Sequence, residues 1–177
     1  MSTSAPQDIV HASVVAGGSH DVSTHYQRAG RGASVVLLSG DGTTSNALLA
    51  GLPRHFRLIA PNVPASLAVT AGDFQTWLRG FLDALGVTRV AIAVGPCFAA
   101  QVLGFALMEP ERVGQLVFLI GPCGTSFGTD GERGVVDRLE KAGQSLLVVP
   151  LDQTDPAAFA RSLASIESFL RLAESRS

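Results

Sequence analysis

The chain has 177 residues, of which 46% are apolar and 16% are charged, and its formal net charge is −2. This length fits one domain rather than two, and a chain without a Lys/Arg-rich block is not expected to bind nucleic acid. Two cysteines are too few for a disulfide framework and suit a reducing compartment. The apolar runs are far shorter than the roughly 20 residues of a membrane helix, so we expect a cytoplasmic protein without membrane association.

The first elements predicted along the chain are a tail and a hairpin. Residues 1–8 contain neither the basic nor the apolar segment of a signal peptide, so we expect a disordered tail followed by a single domain over residues 9–177. The stretches "IVHASVV" and "VSTHYQRA" predict two strands around a turn. "ASVVLL" is uniformly apolar, which is typical of a strand buried on both faces, and a Gly-rich turn and a short helix follow it.

The middle of the chain contains the clearest helical pattern. "FRLIAP" predicts a strand, and "DFQTWLRGFLDALG" places its apolar residues on one helical face. Thr70 and Asp73 have the spacing of a capping box, and Gly86 stands where a helix often ends. The sequence therefore predicts an amphipathic helix between two strands.

The rest of the chain continues the alternation of strands and helices. "TRVAIAV", "GQLVFLIG" and "SLLVVP" predict strands, and helices are predicted between them and from about Pro156 onward. This order predicts the α/β class, with a mostly parallel sheet covered by helices on both faces. Ligands bind such sheets beyond the carboxyl ends of the strands, so we expect the functional residues in the loops at that edge.

One of these loops has the pattern of a nucleophile elbow. In Gly95-Pro96-Cys97-Phe98-Ala99, a small residue stands two positions before and two positions after the central Cys97. A strand–turn–helix of this kind exposes the central side chain at the start of a helix. The helix dipole and N–H groups there favour an anion, so Cys97 is the candidate nucleophile.

From this elbow outward, residues 22 to 124 resemble the α/β-hydrolase superfamily. "VVLLSGDG" is similar to the strand that carries one oxyanion-hole donor, and "FRLIAPNVP" to the strand that follows it. The stretch from "FLDALG" to "FLIGP" is similar to the core around the elbow. The resemblance implies an α/β-hydrolase-like fold that lacks the helical cap and the last strand.

The resemblance also implies roles for individual residues. It implies an oxyanion hole formed by the backbone N–H of Phe98 and by the turn at Asp41 and Gly42. It makes Asp155 the candidate catalytic acid, with Asp152 as the alternative. A simpler interpretation remains open for these acids, because Asp41 and the "DQTDP" turn are also typical helix caps.

Four residues, Ser39, Asn62, Cys123 and His20, are candidate accessory groups, and the first two stand at family positions that usually hold other residues. Ser39 stands where the family usually has His, and Asn62 stands where Asp is common. Cys123 follows the strand next to the elbow, where it is either half of a redox pair or a small apolar residue. His20, in the first hairpin turn, is the candidate accessory base, although several strands separate it from the elbow.

The catalytic histidine of the family has no match in this chain. All four histidines precede the elbow; His25 is interpreted as structural, and His55 is expected at the opposite edge of the sheet. A thiol depends less on an adjacent base than a hydroxyl does, so a cysteine nucleophile is consistent with this loss.

Two functions remain open from the sequence. The first is an enzyme that acts through Cys97 on a small apolar ester, thioester or related carbonyl compound, either as an esterase or as a lyase, cyclase or isomerase. The alternative is a catalytically degenerate homologue that acts as a binding protein or assembles as a homodimer. Neither function needs a cofactor, because the chain contains no dinucleotide fingerprint and no metal-ligand spacing.

Overall fold

The structure is a computed structural model that describes residues 10–16, 22–52, 55–64, 71–120, 130–141 and 143–174. The strands are β1 Val10–Ala16, β2 Val22–Ala29, β3 Ala33–Leu38, β4 Phe56–Pro61, β5 Val90–Val94, β6 Val113–Ile120 and β7 Ser145–Pro150. The helices are α1 Gly42–Gly51, α2 Ala71–Ala84, α3 Ala99–Met108, α4 Asp130–Lys141 and α5 Pro156–Glu174, and a 3₁₀ turn covers Pro96–Phe98.

All of these strands belong to one sheet, with the order β1-β2-β4-β3-β5-β6-β7. Strands β1 and β2 form an antiparallel hairpin, and β2 is also antiparallel to β4. The pairs β4–β3, β3–β5, β5–β6 and β6–β7 are parallel. The sheet is therefore mostly parallel, which confirms the predicted class.

The core forms two layers, one on each face of the sheet. Side chains of α2, α3 and α4 pack on one face, and those of α1 and α5 pack on the other. The central strands contribute to both layers because successive side chains point to opposite faces. In β3, for example, Val36 and Leu38 belong to the first layer, and Val35 and Leu37 to the second. This arrangement confirms that helices cover both faces.

Helix α2 follows the predicted pattern closely. Its apolar stripe is buried at Phe74, Trp77, Leu78, Phe81 and Leu82. The helix ends at Ala84, and Gly86 adopts a φ of +66°, which a glycine tolerates without strain. The proposed capping partner Thr70 lies outside the described residues.

The carboxyl-terminal part also follows the expected order. Strand β7 is the last strand in the sheet order, and α5 follows it after a short loop. Within the described part of the chain, no strand follows β7. The tail at residues 1–8, the first hairpin turn with His20, and Cys123 all lie outside the described residues. Among the helices that the structure describes, none combines the length and apolarity that a bilayer crossing requires.

Candidate active site

The junction between β5 and α3 depends on a glycine. The N–H of Gly95 donates to the carbonyl oxygen of Leu38 at the end of β3, at 2.8 Å. A Cβ at position 95 would lie 2.7 Å from the carbonyl oxygen of Ser39. Because that neighbour is backbone, a side chain at this position would force the ends of β3 and β5 apart.

Cys97 lies at this junction with an exposed side chain. A Cβ on Gly40 would come within 3.0 Å of both Cβ and Sγ of Cys97, so the thiol packs directly on the turn after β3. Gly40 has a φ of +80°, a conformation that L side chains rarely adopt. The absence of a side chain at Gly40 therefore makes room for the Cys97 thiol at the carboxyl edge of the sheet.

The backbone around Cys97 differs from the strained turn that the elbow pattern implies. The Phe98 N–H donates to the carbonyl oxygen of Gly95 at 3.2 Å, and the Ala99 N–H donates to that of Pro96. No non-glycine residue in the described ranges has a positive φ, and this includes Cys97. The junction is thus a relaxed 3₁₀ turn, and the expected oxyanion-hole donor of Phe98 is engaged within it.

The turn after β3 is organised by hydrogen bonds of its own. Asp41 caps α1, since its carboxylate accepts the backbone N–H of Thr44 at 2.6 Å. The Ser39 hydroxyl is buried, donates to the carbonyl oxygen of Asp41 at 2.5 Å and lies 2.7 Å from the Ser45 hydroxyl. Gly42 is the first residue of α1. The helix-capping interpretation of Asp41 therefore agrees with the geometry.

Asp155, the predicted acid, caps helix α5. Its carboxylate accepts the backbone N–H groups of Ala157 and Ala158, at 2.9 Å and 3.2 Å. These are the bonds of an N-cap residue. The structure therefore gives Asp155 the capping role that the sequence left open.

Asp152 is engaged in the same loop. Its carboxylate accepts the hydroxyl of Thr154 at 2.6 Å and the backbone N–H of Thr154 at 2.9 Å. The hydroxyl bond first, and then the backbone bonds, hold the pKa of Asp152 below its ordinary value. The side chain of Gln153 donates to the Thr44 hydroxyl at 2.8 Å and so ties this loop to α1. These contacts stabilise a turn rather than orient a catalytic base.

A cleft of about 680 Å³ lies over the carboxyl ends of β3 and β4. Its walls come from β2, from the segments that follow β3 and β4, from α1, and from the side of the elbow. The lining residues include Ser39, Gly40, Asp41, Gly42, Asn62 and Phe98. Five of the sequence-predicted positions therefore surround one cavity, and Gly40, on which the Cys97 thiol packs, is part of its wall.

His25 is a cleft residue that the sequence interpretation assigned to a structural role. It is exposed, lines the cleft, and its carbonyl oxygen accepts the backbone N–H of Asn62 at 2.8 Å. The period of two along β2 was the signal that could have found it, because the buried Thr24 and the core-packed Tyr26 leave His25 on the other face. Three strand spacings, roughly 14 Å, separate β2 from β5.

His55 lies far from the elbow. His55 precedes β4, and its imidazole is 3.8 Å from the Glu167 carboxylate on α5. As expected, this places His55 at the amino edge of the sheet. In the ranges that the structure describes, no group of three or more His, Cys, Asp and Glu side chains is placed to hold a metal ion.

Comparisons with known proteins relate the chain to hydrolases. A 2-hydroxy-6-oxo-2,4-heptadienoate hydrolase of Pseudomonas putida is 36% identical over 133 residues, which are 67% of this chain and 47% of the relative. A 2-hydroxy-6-oxo-6-phenylhexa-2,4-dienoate hydrolase of Comamonas testosteroni is 29% identical over 123 residues, covering 59% and 41% of the two chains. The chain thus spans less than half the length of these curated relatives. No protein-family model matches it.

A solved structure matches over nearly the whole chain. The crystal structure of a predicted CIB-like hydrolase from Thermoplasma acidophilum superposes with a TM-score of 0.68 at 13% identity, covering 93% of this chain and 99% of that one. This similarity supports the fold over almost its full extent. Together with the hydrolase relatives and the strand order of the sheet, it shows that the chain belongs to the α/β-hydrolase superfamily.

Proposed function

We propose that the chain is an enzyme that acts on a small apolar carbonyl compound, such as an ester or a thioester, through the sulfur of Cys97. The observation that carries the proposal is the contact of the exposed Cys97 thiol with Gly40, because Gly40 lines the cleft. The curated relatives are named as hydrolases of oxo acids, which also contain a carbonyl group.

The chemistry begins with attack of sulfur on the carbonyl carbon. A sulfur–carbon bond forms, the bond to the leaving alcohol breaks, and the thiol proton ends on that alcohol. Helix α3 begins beside Cys97, and the positive end of its dipole lies near the proposed nucleophile. A sulfur nucleophile depends less on an adjacent base than a hydroxyl does, which agrees with the position of His55 at the opposite edge.

Stabilisation of the negative oxygen is the second requirement. The turn at Asp41 and Gly42 lines the cleft, and its backbone N–H groups are the proposed donors. The Phe98 N–H contributes only after it leaves the carbonyl oxygen of Gly95. We therefore include a small opening of the 3₁₀ turn in the proposed reaction.

Release of the acyl group is expected to be the slow step. Hydrolysis of an acyl-enzyme requires a base that activates water, and histidine supplies it in the Ser–His–Asp enzymes. Since His25 lies three strands from β5, the acyl group is expected to persist on Cys97 or to pass to another acceptor. This favours transfer or non-hydrolytic chemistry over rapid hydrolysis.

The test is acylation by 4-nitrophenyl butyrate. We expect a burst of nitrophenolate close to one equivalent, and an intact mass raised by one butyryl group on Cys97. C97A should lose both signals while keeping its circular dichroism spectrum, and C123A should keep both. A burst that persists in C97A, or a wild-type chain without an adduct, would overturn the proposed role of the thiol.

A second candidate function is a non-catalytic binding or homodimeric protein. It is favoured by the engaged Phe98 N–H and by the use of Asp155 as a helix cap. Strand β7 ends the sheet, and Val148 on it is an exposed apolar side chain, which suits pairing with a second copy. An unreactive Cys97 together with a dimer in sedimentation analysis would support this alternative.

A further inference from the structure

The amino edge of the sheet, opposite the cleft, carries one arginine at each of four neighbouring strands. Strands β2, β4, β3 and β5 follow one another in the sheet order. Their arginines lie near the end of β2, near the start of β4, and just before β3 and β5, and are Arg28, Arg57, Arg31 and Arg89. Three strand spacings, roughly 14 Å, span this group, which we call the arginine row.

The arginine row is accessible to an external anion. Arg28, Arg31 and Arg89 are exposed, and Arg57 is half-buried. Arg28 lies opposite Ile59 on β4, so Arg28 and Arg57 share one face of the sheet as diagonal neighbours roughly 7 Å apart. No acidic side chain in the described ranges forms an ion pair with the row. Because like charges at such distances repel each other, an anion outside the chain would stabilise the group.

The row differs from the arginines that stabilise the fold at the same edge. Basic side chains in the last turn of a helix balance its dipole, and α4 and α5 have such side chains. Arg112, just before β6, donates to the carbonyl oxygen of Val87 at 2.9 Å and pairs with Asp83 at 2.7 Å. The members of the row lie on strands or just before them, outside the helix ends, and make no ion pair of this kind with a described residue.

Exposed apolar side chains lie at the same edge, on both sides of the arginine row. Helices α3 and α5 begin at the carboxyl edge and therefore end at the amino edge, one on each face of the sheet. The last two residues of α3, Leu107 and Met108, are 36% and 61% exposed, and Leu172 near the end of α5 is 59% exposed. Of the large apolar side chains that are exposed in the described ranges, only Val148 lies elsewhere.

The two edges of the sheet differ in charge. At the carboxyl edge, aspartates stand at the junctions between strands and helices and in the first turn of α2, and these are Asp41, Asp73, Asp152 and Asp155. At the amino edge, three acids are paired with arginines, namely Asp83, Glu109 and Glu167, and Glu111 is exposed. An anionic surface therefore attracts the amino edge and repels the carboxyl edge, so the cleft faces away from it.

We infer that the amino edge is a docking surface for an anionic lipid leaflet. The arginine row binds lipid phosphates, to which a guanidinium donates two parallel hydrogen bonds. The exposed apolar side chains of α3 and α5 enter the boundary between headgroups and acyl chains. A leaflet is favoured over an acidic protein because the contacts lie on both faces of the sheet, and a broad, flat partner that is both anionic and apolar reaches all of them.

Docking of this kind corrects one expectation from the sequence. No membrane association was expected, because the apolar runs are too short to span a bilayer. A protein that binds a leaflet through basic and apolar side chains needs no spanning segment. Docking is also independent of the proposed reaction, since Cys97 lies at the opposite edge of the sheet.

Flotation with lipid vesicles tests the surface. The vesicles consist of phosphatidylcholine alone, or of phosphatidylcholine with about 30% phosphatidylserine. We expect roughly tenfold stronger binding to the anionic vesicles, and loss of this preference in about 0.5 M NaCl, which screens charges beyond a few Å. R28Q/R57Q should weaken binding to the anionic vesicles about twentyfold, because each arginine near an anionic leaflet contributes roughly fivefold. R28K/R57K, which keeps the charge, should retain most of the binding.

Matched substitutions elsewhere on the surface serve as controls. R57Q alone should weaken binding about fivefold, whereas R161Q, which removes an exposed arginine from the first half of α5, should leave it unchanged. M108S should weaken binding, whereas V148S, in the carboxyl half of β7, should not. C97A should bind the vesicles like the wild-type chain while it loses the butyryl adduct.

Several results would overturn the docking surface. They are equal binding to the two kinds of vesicle, undiminished binding in R28Q/R57Q with an unchanged circular dichroism spectrum, and M108S that binds as tightly as V148S. If the wild-type chain binds immobilised poly-L-glutamate through the same arginines but neither kind of vesicle, the partner is an acidic protein and the lipid assignment is wrong.

Discussion

The junctions β5–α3 and β7–α5 lie at the same edge of the sheet but are built in opposite ways. At β5–α3 the backbone packs closely because Gly95 and Gly40 have no side chains. At β7–α5 the polar side chains of Asp152 and Asp155 make the turn and cap the helix. The first arrangement leaves the Cys97 side chain exposed at the edge, whereas the second uses both carboxylates for structure.

This difference shows that the position of a residue in the sequence does not by itself assign it a catalytic role. An acid after β7 matches the family pattern, yet the hydrogen bonds of Asp155 are those of a helix cap. A side chain is available for chemistry only where the turn does not need it. Substitutions at the two junctions should therefore affect different properties of the molecule.

The largest expected effect is that of G95A. The new Cβ would meet the carbonyl oxygen of Ser39, and strands β3 and β5 would have to separate. We expect the free energy of unfolding to fall by about 3 kcal/mol, measured by urea denaturation. As a control, G134A adds a methyl group in the exposed part of α4, where nothing lies within 4 Å, and should raise stability by about 0.8 kcal/mol. A loss below 1 kcal/mol in G95A would show that the junction is not tightly packed.

A smaller effect is expected from G40A. Gly40 and Gly86 both have a positive φ, so alanine at either position costs about 1 kcal/mol or somewhat more. Only at position 40 would the methyl group also press on Cys97, so we expect G40A to cost about 2 kcal/mol in total. Iodoacetamide should also react more slowly with Cys97 in G40A than in G86A. Equal stability and equal alkylation rates in the two variants would contradict the described contact.

The smallest expected effect is that of D155A. Loss of the cap of α5 should lower the free energy of unfolding by about 1 kcal/mol, and D155N, which can still cap, should be close to the wild-type chain. Neither variant should change the burst with 4-nitrophenyl butyrate. If D155N loses the burst at unchanged stability, Asp155 is catalytic and the contrast between the junctions fails.

Much of the fold was predictable because burial leaves periodic patterns in the sequence. The stripe of α2 and the uniformly apolar β3 have distinct patterns, and Gly86 marks a helix end that needs a positive φ. Hydrogen bonds inside turns leave weaker patterns. Asp155 as a catalytic acid and Asp155 as a cap require the same residue after the same strand, so only the contacts of its carboxylate distinguish them.

The candidate site was predictable to a lesser degree. The elbow pattern correctly placed Cys97 at a strand–helix junction, but it did not reveal that the Phe98 N–H is used within a 3₁₀ turn. The resemblance suggested a structural role for His25 and gave no sign of its position in the cleft, because that position depends on the β2–β4 pairing. Such pairing joins segments about 30 residues apart in the sequence, and local patterns do not encode it.

The short antiparallel pairing between β2 and β4 has a consequence for the local stability of the cleft wall. Only four residue pairs, Tyr26–Ala29 with Leu58–Pro61, define its register, while Trp77 anchors the hairpin to α2 through a buried hydrogen bond to Thr24. Because the ladder is short, we expect it to open locally more often than the ladders between the central strands do. Amide exchange along Tyr26–Ala29 that is faster than exchange along the central strands would record this opening.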